Sequence, residues 1–112
     1  MDLHLAPRVL VASADETMRR TIEGHLADFG CETGTATETA SAVEKACDAA
    51  IDLVFMDRDL PAPGGFPAPQ EVRDREIHQN RHVPIIAVTS EIVPTTGEEC
   101  LDAGMDDYIT AP

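Results

Sequence analysis

Asp57 closes an apolar run, Leu53-Val54-Phe55-Met56, and Asp59 follows two residues later. Carboxylates just past a buried segment offer oxygen ligands to a hard cation such as Mg²⁺. Thr89 and Ser90 end a second apolar run that begins at Val83, and so bring hydroxyls to the matching place. Ser13, Ala14 and Asp15 follow a first run from Arg8 to Ala12. Other reactive residues are dispersed. Cys31, Cys47 and Cys100 have no zinc spacing and imply no disulfide framework; they read as thiols of a reducing cytoplasm. His4, His25, His78 and His82 show no metal spacing either.

Positioning such residues requires regular elements. Arg8–Ala12 reads as a short buried strand. Met18, Ile22, Leu26 and Phe29 recur at helical spacing, with Gly30 placed to stop the helix. Cys31–Ala36 is a weaker strand. Val43, Cys47 and Ala50 form a second helical stripe, with Thr37 or Ser41 as cap and Ser41-Ala42-Val43-Glu44 fitting a capping box. Asp52–Asp57 is a third strand, and a third helix is expected over roughly Pro69 to Asn80, since proline is tolerated in a first turn. Val83–Thr89 is the fourth strand. Glu91–Ala103 is helical in pattern but damaged by Pro94 and Gly97, and Asp107–Thr110 is the fifth strand.

The chain has 112 residues, which suits one domain over 1–112, and 43% hydrophobic residues supply a core. Twenty-one acids against 8 Lys and Arg leave a net charge of −13, which repels nucleic-acid phosphates and anionic lipid. No nucleic-acid partner is expected. No apolar run approaches the roughly 20 residues of a membrane span, so no membrane insertion is expected and the location is taken as cytoplasmic. Alternating strands and helices, with strands apolar throughout, imply a parallel sheet covered on both faces. The loops after the strands then gather at one edge, where Ser13–Asp15, Asp57–Pro61, Thr89-Ser90 and Ala111-Pro112 meet.

Three segments, in order and at family spacing, resemble the receiver domain of two-component signalling proteins. They are Asp52-Leu53-Val54-Phe55-Met56-Asp57 with Leu60-Pro61 and Gly65, Val83-Pro84-Ile85-Ile86-Ala87-Val88-Thr89-Ser90, and Ala103-Gly104-Met105-Asp106-Asp107-Tyr108-Ile109-Thr110 before Ala111-Pro112. The resemblance runs from Arg8 to Pro112 and implies a doubly wound, flavodoxin-like sheet of order 2-1-3-4-5. It implies transfer of a phosphoryl group from a phosphohistidine to Asp57, a phosphate-sensing hydroxyl at Thr89 and a switch aromatic at Tyr108. Asp59 falls where the family offers a backbone carbonyl to the metal. The partner implied is a histidine kinase or another signalling domain, in a phosphorelay where this chain is at most a substrate and slow autophosphatase.

The departures from the family are chemical. The metal-binding acid pair should fall at Ser13 and Ala14, and the phosphate-pairing lysine at Ala111. Without them the resemblance implies a degenerate pseudo-receiver that acts by protein–protein interaction, with no cofactor. The alternative is an active receiver, phosphorylated on Asp57 through an altered Mg²⁺ cage of Asp15, Asp57 and Asp59. Against that cage, Asp15 reads first as the N-cap of the first helix and Asp59 as a solvated loop acid. Thr89 also suits a strand-end hydroxyl bonded to backbone, and Tyr108 a half-buried packing residue.

Receivers carry a fifth helix after the lysine-proline step, and here it is expected to be missing. The chain is therefore read as a fragment of a larger signalling protein, of hybrid-kinase origin, or as one that pairs with itself or a partner across the uncovered face. Arg19, Arg20, Arg73, Arg75 and Arg81 could serve an anionic partner, although scattered arginines are usually solvated. Two other readings fail on residues. Asp57-Arg58-Asp59 resembles the Asp-x-Asp of haloacid dehalogenase phosphatases, but Pro61 stands where that motif continues with Thr or Val. A flavodoxin phosphate loop is poorly matched by Ala12-Ser13-Ala14-Asp15-Glu16-Thr17, whose acids repel phosphate.

Overall fold

The computed structural model describes residues 6–57, 60, 68–89 and 104–110. Along the chain these form β1 (Arg8–Ala12), α1 (Glu16–Asp28), β2 (Glu32–Ala36), α2 (Thr39–Ala46), β3 (Leu53–Asp57), α3 (Ala68–Glu76), β4 (Ile85–Thr89) and β5 (Asp107–Thr110). The strands make one parallel sheet of order β2-β1-β3-β4-β5, as predicted. The helix expected over Glu91–Ala103 lies outside the described residues.

The order fixes which face each helix covers. The β1-α1-β2 crossover moves one way along the sheet, and β2-α2-β3 and β3-α3-β4 move the other. Right-handed crossovers therefore put α1 on one face and α2 with α3 on the opposite one. Side-chain alternation agrees. Leu10, Ala12, Val54, Met56, Ile85 and Ala87 point to the α2–α3 face and join Ala42, Val43, Ala46 and Val72 in a continuous buried core. Leu10, Met56 and Ile85 are at most 1% exposed, so the centre of this face is dry.

The α1 face is less complete. Val9, Val11 and Val88 are buried, but Leu53, Phe55 and Ile86 are only half-buried and Ile109 is 43% exposed. No residue of α1 is fully buried, and Phe29 at its end is 83% exposed. Among the described residues α1 alone covers this face, and it reaches β1 and β2 rather than β4 and β5.

Helix ends follow local chemistry, with two corrections. Asp15 caps α1: its carboxylate accepts from the Met18 N–H at 3.1 Å. At the other end Gly30 adopts φ 80°, and the Cys31 N–H donates to the Leu26 carbonyl, so the predicted glycine stop holds. The capping box at Ser41 is overturned. The α2 cap is extended Glu38, whose side chain makes no capping bond, and Ser41 lies inside the helix with its hydroxyl donating to the Glu38 carbonyl. A serine within a turn of the true start bonds backwards to a carbonyl instead of forwards to an N–H. The second correction is length. α2 stops at Ala46, short of Ala50, because the Asp48 carboxylate takes the Ala50 N–H and turns the chain. α3 stops at Glu76, short of Asn80, which has a positive φ of 51°.

The edge of the sheet opposite Asp57 is tied by Asp106. Its carboxylate accepts from the Ile85 N–H at 2.7 Å and from Arg73 at 2.6 Å, and it faces His82. Partial burial opposes ionisation, but the Ile85 N–H, the His82 ring and the Arg73 guanidinium outweigh it and hold the carboxyl below its ordinary value. A carboxyl with a lowered folded pKa stabilises the fold fully above its unfolded pKa of about 3.9. That contribution fades as pH falls through the folded value. Asp106→Ala is expected to cost about 1–3 kcal/mol at pH 7. Its deficit against wild type should shrink below pH 4, which urea unfolding across pH measures.

Candidate functional site

Strand register, not sequence proximity, assembles the site. Ala12 pairs with Met56, which sets Ser13 level with Asp57 at the carboxyl edge of two adjacent central strands. Both are buried, Ser13 at 1% and Asp57 at 8% exposure. The Ser13 hydroxyl donates to Asp57 Oδ2 at 2.8 Å and accepts the Asp15 N–H at 3.0 Å. The Ser13 N–H donates to the Ala36 carbonyl, so β2 also holds this residue in place. A neutral hydroxyl is thus one partner of the Asp57 carboxylate at the position where the family places a metal-binding acid.

The neighbouring positions supply little more. Ala14 is exposed and has no side-chain donor. Asp15 is the α1 cap, as read from the sequence, and its carboxylate oxygen faces the Met18 N–H. Mg²⁺ needs several oxygen ligands in near-octahedral order. Among the described residues this edge offers Asp57, a serine hydroxyl and a capping carboxylate. Among the described residues no group of three His, Cys, Asp or Glu side chains is placed to hold a metal ion. Asp59 and Ala111 lie outside the described residues.

The two switch positions are placed by their strands. Asp57 pairs with Val88, so Thr89 lies one residue past it on β4, beside Thr110 of β5; the Thr89 side chain is outside the described set. Tyr108 pairs with Ala87 and is 40% exposed. Its ring is therefore at the surface of the edge strand.

Arg19 is a residue that pattern reading undervalued. It had been grouped with arginines available to an anionic partner, yet it is half-buried and donates from Nη1 to the Ser13 carbonyl at 3.2 Å. The available signal was its place one turn after Asp15 on the same helix. Two other members of that group are also engaged by the fold: Arg81 donates to the carbonyls of Asp48 and Ile51, and Arg73 lies within the opposite-edge cluster. Of the thiols, Cys31 and Cys47 are free, and burial pushes the Cys47 thiol up, which disfavours its reactive thiolate. Cys100 lies outside the described residues.

A five-stranded 2-1-3-4-5 parallel sheet with a buried aspartate at its carboxyl edge is a doubly wound, flavodoxin-like fold. The model of the response regulator receiver domain matches residues 9–112, and the chain belongs to that family. Its curated relatives include Histidine kinase 3 of Arabidopsis thaliana, 27% identical, and the sensor protein GacS of Pseudomonas syringae pv. syringae, 32% identical. These alignments cover 99% and 96% of the chain but only 12% of each relative, so the chain spans about an eighth of those kinases. The receiver domain of the sensor histidine kinase PA1611 of Pseudomonas aeruginosa PAO1, solved with magnesium coordinated in its active site cleft, superposes with a TM-score of 0.81. It is 31% identical, and the match covers 96% of this chain and 87% of that one.

The assignment of Asp15 as a cap has a direct check. Asp15→Ala is expected to lower stability by about 1 kcal/mol, and Asp15→Asn, which keeps a capping oxygen, by much less. Chemical denaturation of both variants with and without Mg²⁺ measures this; a magnesium-dependent stability lost in both would identify a metal ligand instead.

Proposed function

We propose that this domain is a pseudo-receiver, a signalling module that works by protein–protein contact and takes up no phosphoryl group at Asp57. The observation that carries the reading is the 2.8 Å hydrogen bond from Ser13 to Asp57. An aspartyl phosphate brings about two negative charges to a protein that already carries a net −13. Transfer to it depends on positioning and on cations at the transferring group. Serine, alanine and a second alanine stand at the positions that would supply those cations, directly at Ala111 and through a metal at Ser13 and Ala14. The absence of even one well-placed stabilising group commonly costs roughly 10²–10³ in rate.

In this reading the partner is a histidine kinase or another cytoplasmic signalling domain, which the module holds in one state. The half-covered α1 face, with Phe55, Ile86 and Ile109, suits such contact better than solvent does. It also suits a second copy of the chain. The acidic balance disfavours nucleic acid as a partner. Catalysis is not among its roles.

The active alternative keeps one favourable observation: Asp57 is buried at the acceptor position, in a chain 31% identical to a receiver whose cleft coordinates magnesium. Beryllofluoride with Mg²⁺ separates the two. The wild-type Asp57 and Thr89 amide resonances are expected not to shift, whereas the combined variant Ser13→Asp, Ala14→Asp, Ala111→Lys should shift at both. Acetyl phosphate should label the combined variant at least about 10²-fold faster than wild type. A magnesium-dependent shift in the wild-type domain would establish the active reading. For self-pairing, sedimentation is expected to show a dimer that Ile109→Glu weakens; a monomer at all concentrations removes that option.

A further inference from the structure

We propose that Arg73 is the positioning residue for β5, setting that strand, and Tyr108 on it, from the edge of the sheet opposite Asp57. Arg73 lies on α3 with its side chain only 15% exposed. Its guanidinium donates to four acceptors on three parts of the chain. Nε reaches the Gly104 carbonyl at 2.8 Å, and Nη1 reaches the Val83 carbonyl at 2.9 Å and Glu76 at 2.7 Å. Nη2 reaches Asp106 at 2.6 Å. The two acidic acceptors are themselves held. Glu76, 5% exposed, takes the Val83 N–H through its other oxygen, and Asp106 takes the Ile85 N–H while its own N–H donates to the Ile85 carbonyl. The planar fork of an arginine suits this divergent set; a lysine ammonium has three donors and no fork.

The cluster grips the segment that leads into β5. Gly104 has φ +100°, and a Cβ there would stand 3.1 Å from Arg73 Cγ and 3.5 Å from the Pro69 carbonyl oxygen. Chain direction and close approach both require glycine at this point. Among the described residues β5 has few other ties. It is four residues long, lies at the edge of the sheet with β4 as its only strand neighbour, and leaves Tyr108 and Ile109 substantially exposed. A short edge strand with one ladder and little burial belongs to the low-stability end of a fold, where local opening precedes global unfolding. The clamp at its start is what keeps its register with β4. The inference rests on the proposed function only in giving a shift of β5 a signalling meaning, because the strand carries the aromatic switch position.

Hydrogen exchange of the intact domain, followed residue by residue, tests this. In Arg73→Gln, exchange of the β5 amides is expected to rise about tenfold or more relative to wild type, consistent with loss of charge-assisted hydrogen bonds. Leu10 in β1 and Val54 in β3 should change by less than about threefold. Gly104→Ala disturbs the same clamp from the other side and should reproduce the pattern. Tyr108 is the chain's single tyrosine and there is no tryptophan, so acrylamide quenching of intrinsic fluorescence reports its position directly and should increase in both variants. Equal loss of protection in all strands would reduce Arg73 to a general stabiliser and overturn the proposal, as would an unchanged β5. If Arg73→Gln fails to fold, Arg73→Lys and Gly104→Ala decide by the same contrast. None of these readouts involves Asp57 chemistry, so their failure leaves the pseudo-receiver reading standing, and a magnesium-dependent beryllofluoride shift leaves the clamp standing.

Discussion

The pairing of Ala12 with Met56 is the constraint on which the functional edge depends. It brings residue 13 level with residue 57, so whatever side chain follows β1 decides the chemistry of the buried carboxylate. Here that side chain is a serine. Its hydroxyl satisfies an Asp57 oxygen and the Asp15 N–H together, which settles two polar groups at a dry edge without bringing any charge. An acid in its place would have required a cation. The arrangement is therefore self-consistent as a hydrogen-bonded structure among the described residues.

Several of the described arginines are engaged away from Asp57. Arg73 and Arg81 spend their guanidinium groups on backbone carbonyls and acids at the amino edge, and Arg8 pairs with Glu32 at the start of the sheet. At the carboxyl edge Arg19 holds the Ser13 carbonyl from α1. Those at the amino edge knit elements together, far from the acceptor. Partly buried bonds of this kind matter more to the fold than the exposed pairs Arg20–Glu16 and Arg75–Glu71, which solvent and salt weaken.

Much of the architecture was legible because parallel strands buried on both faces leave continuous apolar runs, which marked β1, β3 and β4; β2, with Thr33 and Thr35 alternating with small residues, was the weaker reading. The cap at Asp15 and the stop at Gly30 were legible too, since both act through one residue and its immediate neighbours. The helix-end errors arose where neighbouring residues competed or the backbone alone decided. Ser41 resembled a cap until Glu38 took the position, and α3 was read too long because Asn80 accepts a backbone conformation that pattern does not reveal. At the site, the sequence showed that Ser13 and Ala14 were not acids, but not that the serine hydroxyl would turn onto Asp57. That contact spans forty-four residues and exists only once β1 and β3 are in register. The role of Arg73 was hidden for the same reason, with Gly104 and Asp106 about thirty residues away.

The uneven covering of the sheet has a colloidal consequence. The centre of the α2–α3 side is buried, while the α1 side leaves Phe29 and Ile109 in water. In dilute neutral solution, mutual repulsion between strongly acidic particles opposes contact through that side. That shield disappears near the isoelectric point of about 4.4, so solubility should pass through a minimum in mildly acidic buffer while the sheet is still intact. Concentrated salt would thin the same shield at any pH, making ionic strength as important as acidity for handling the protein.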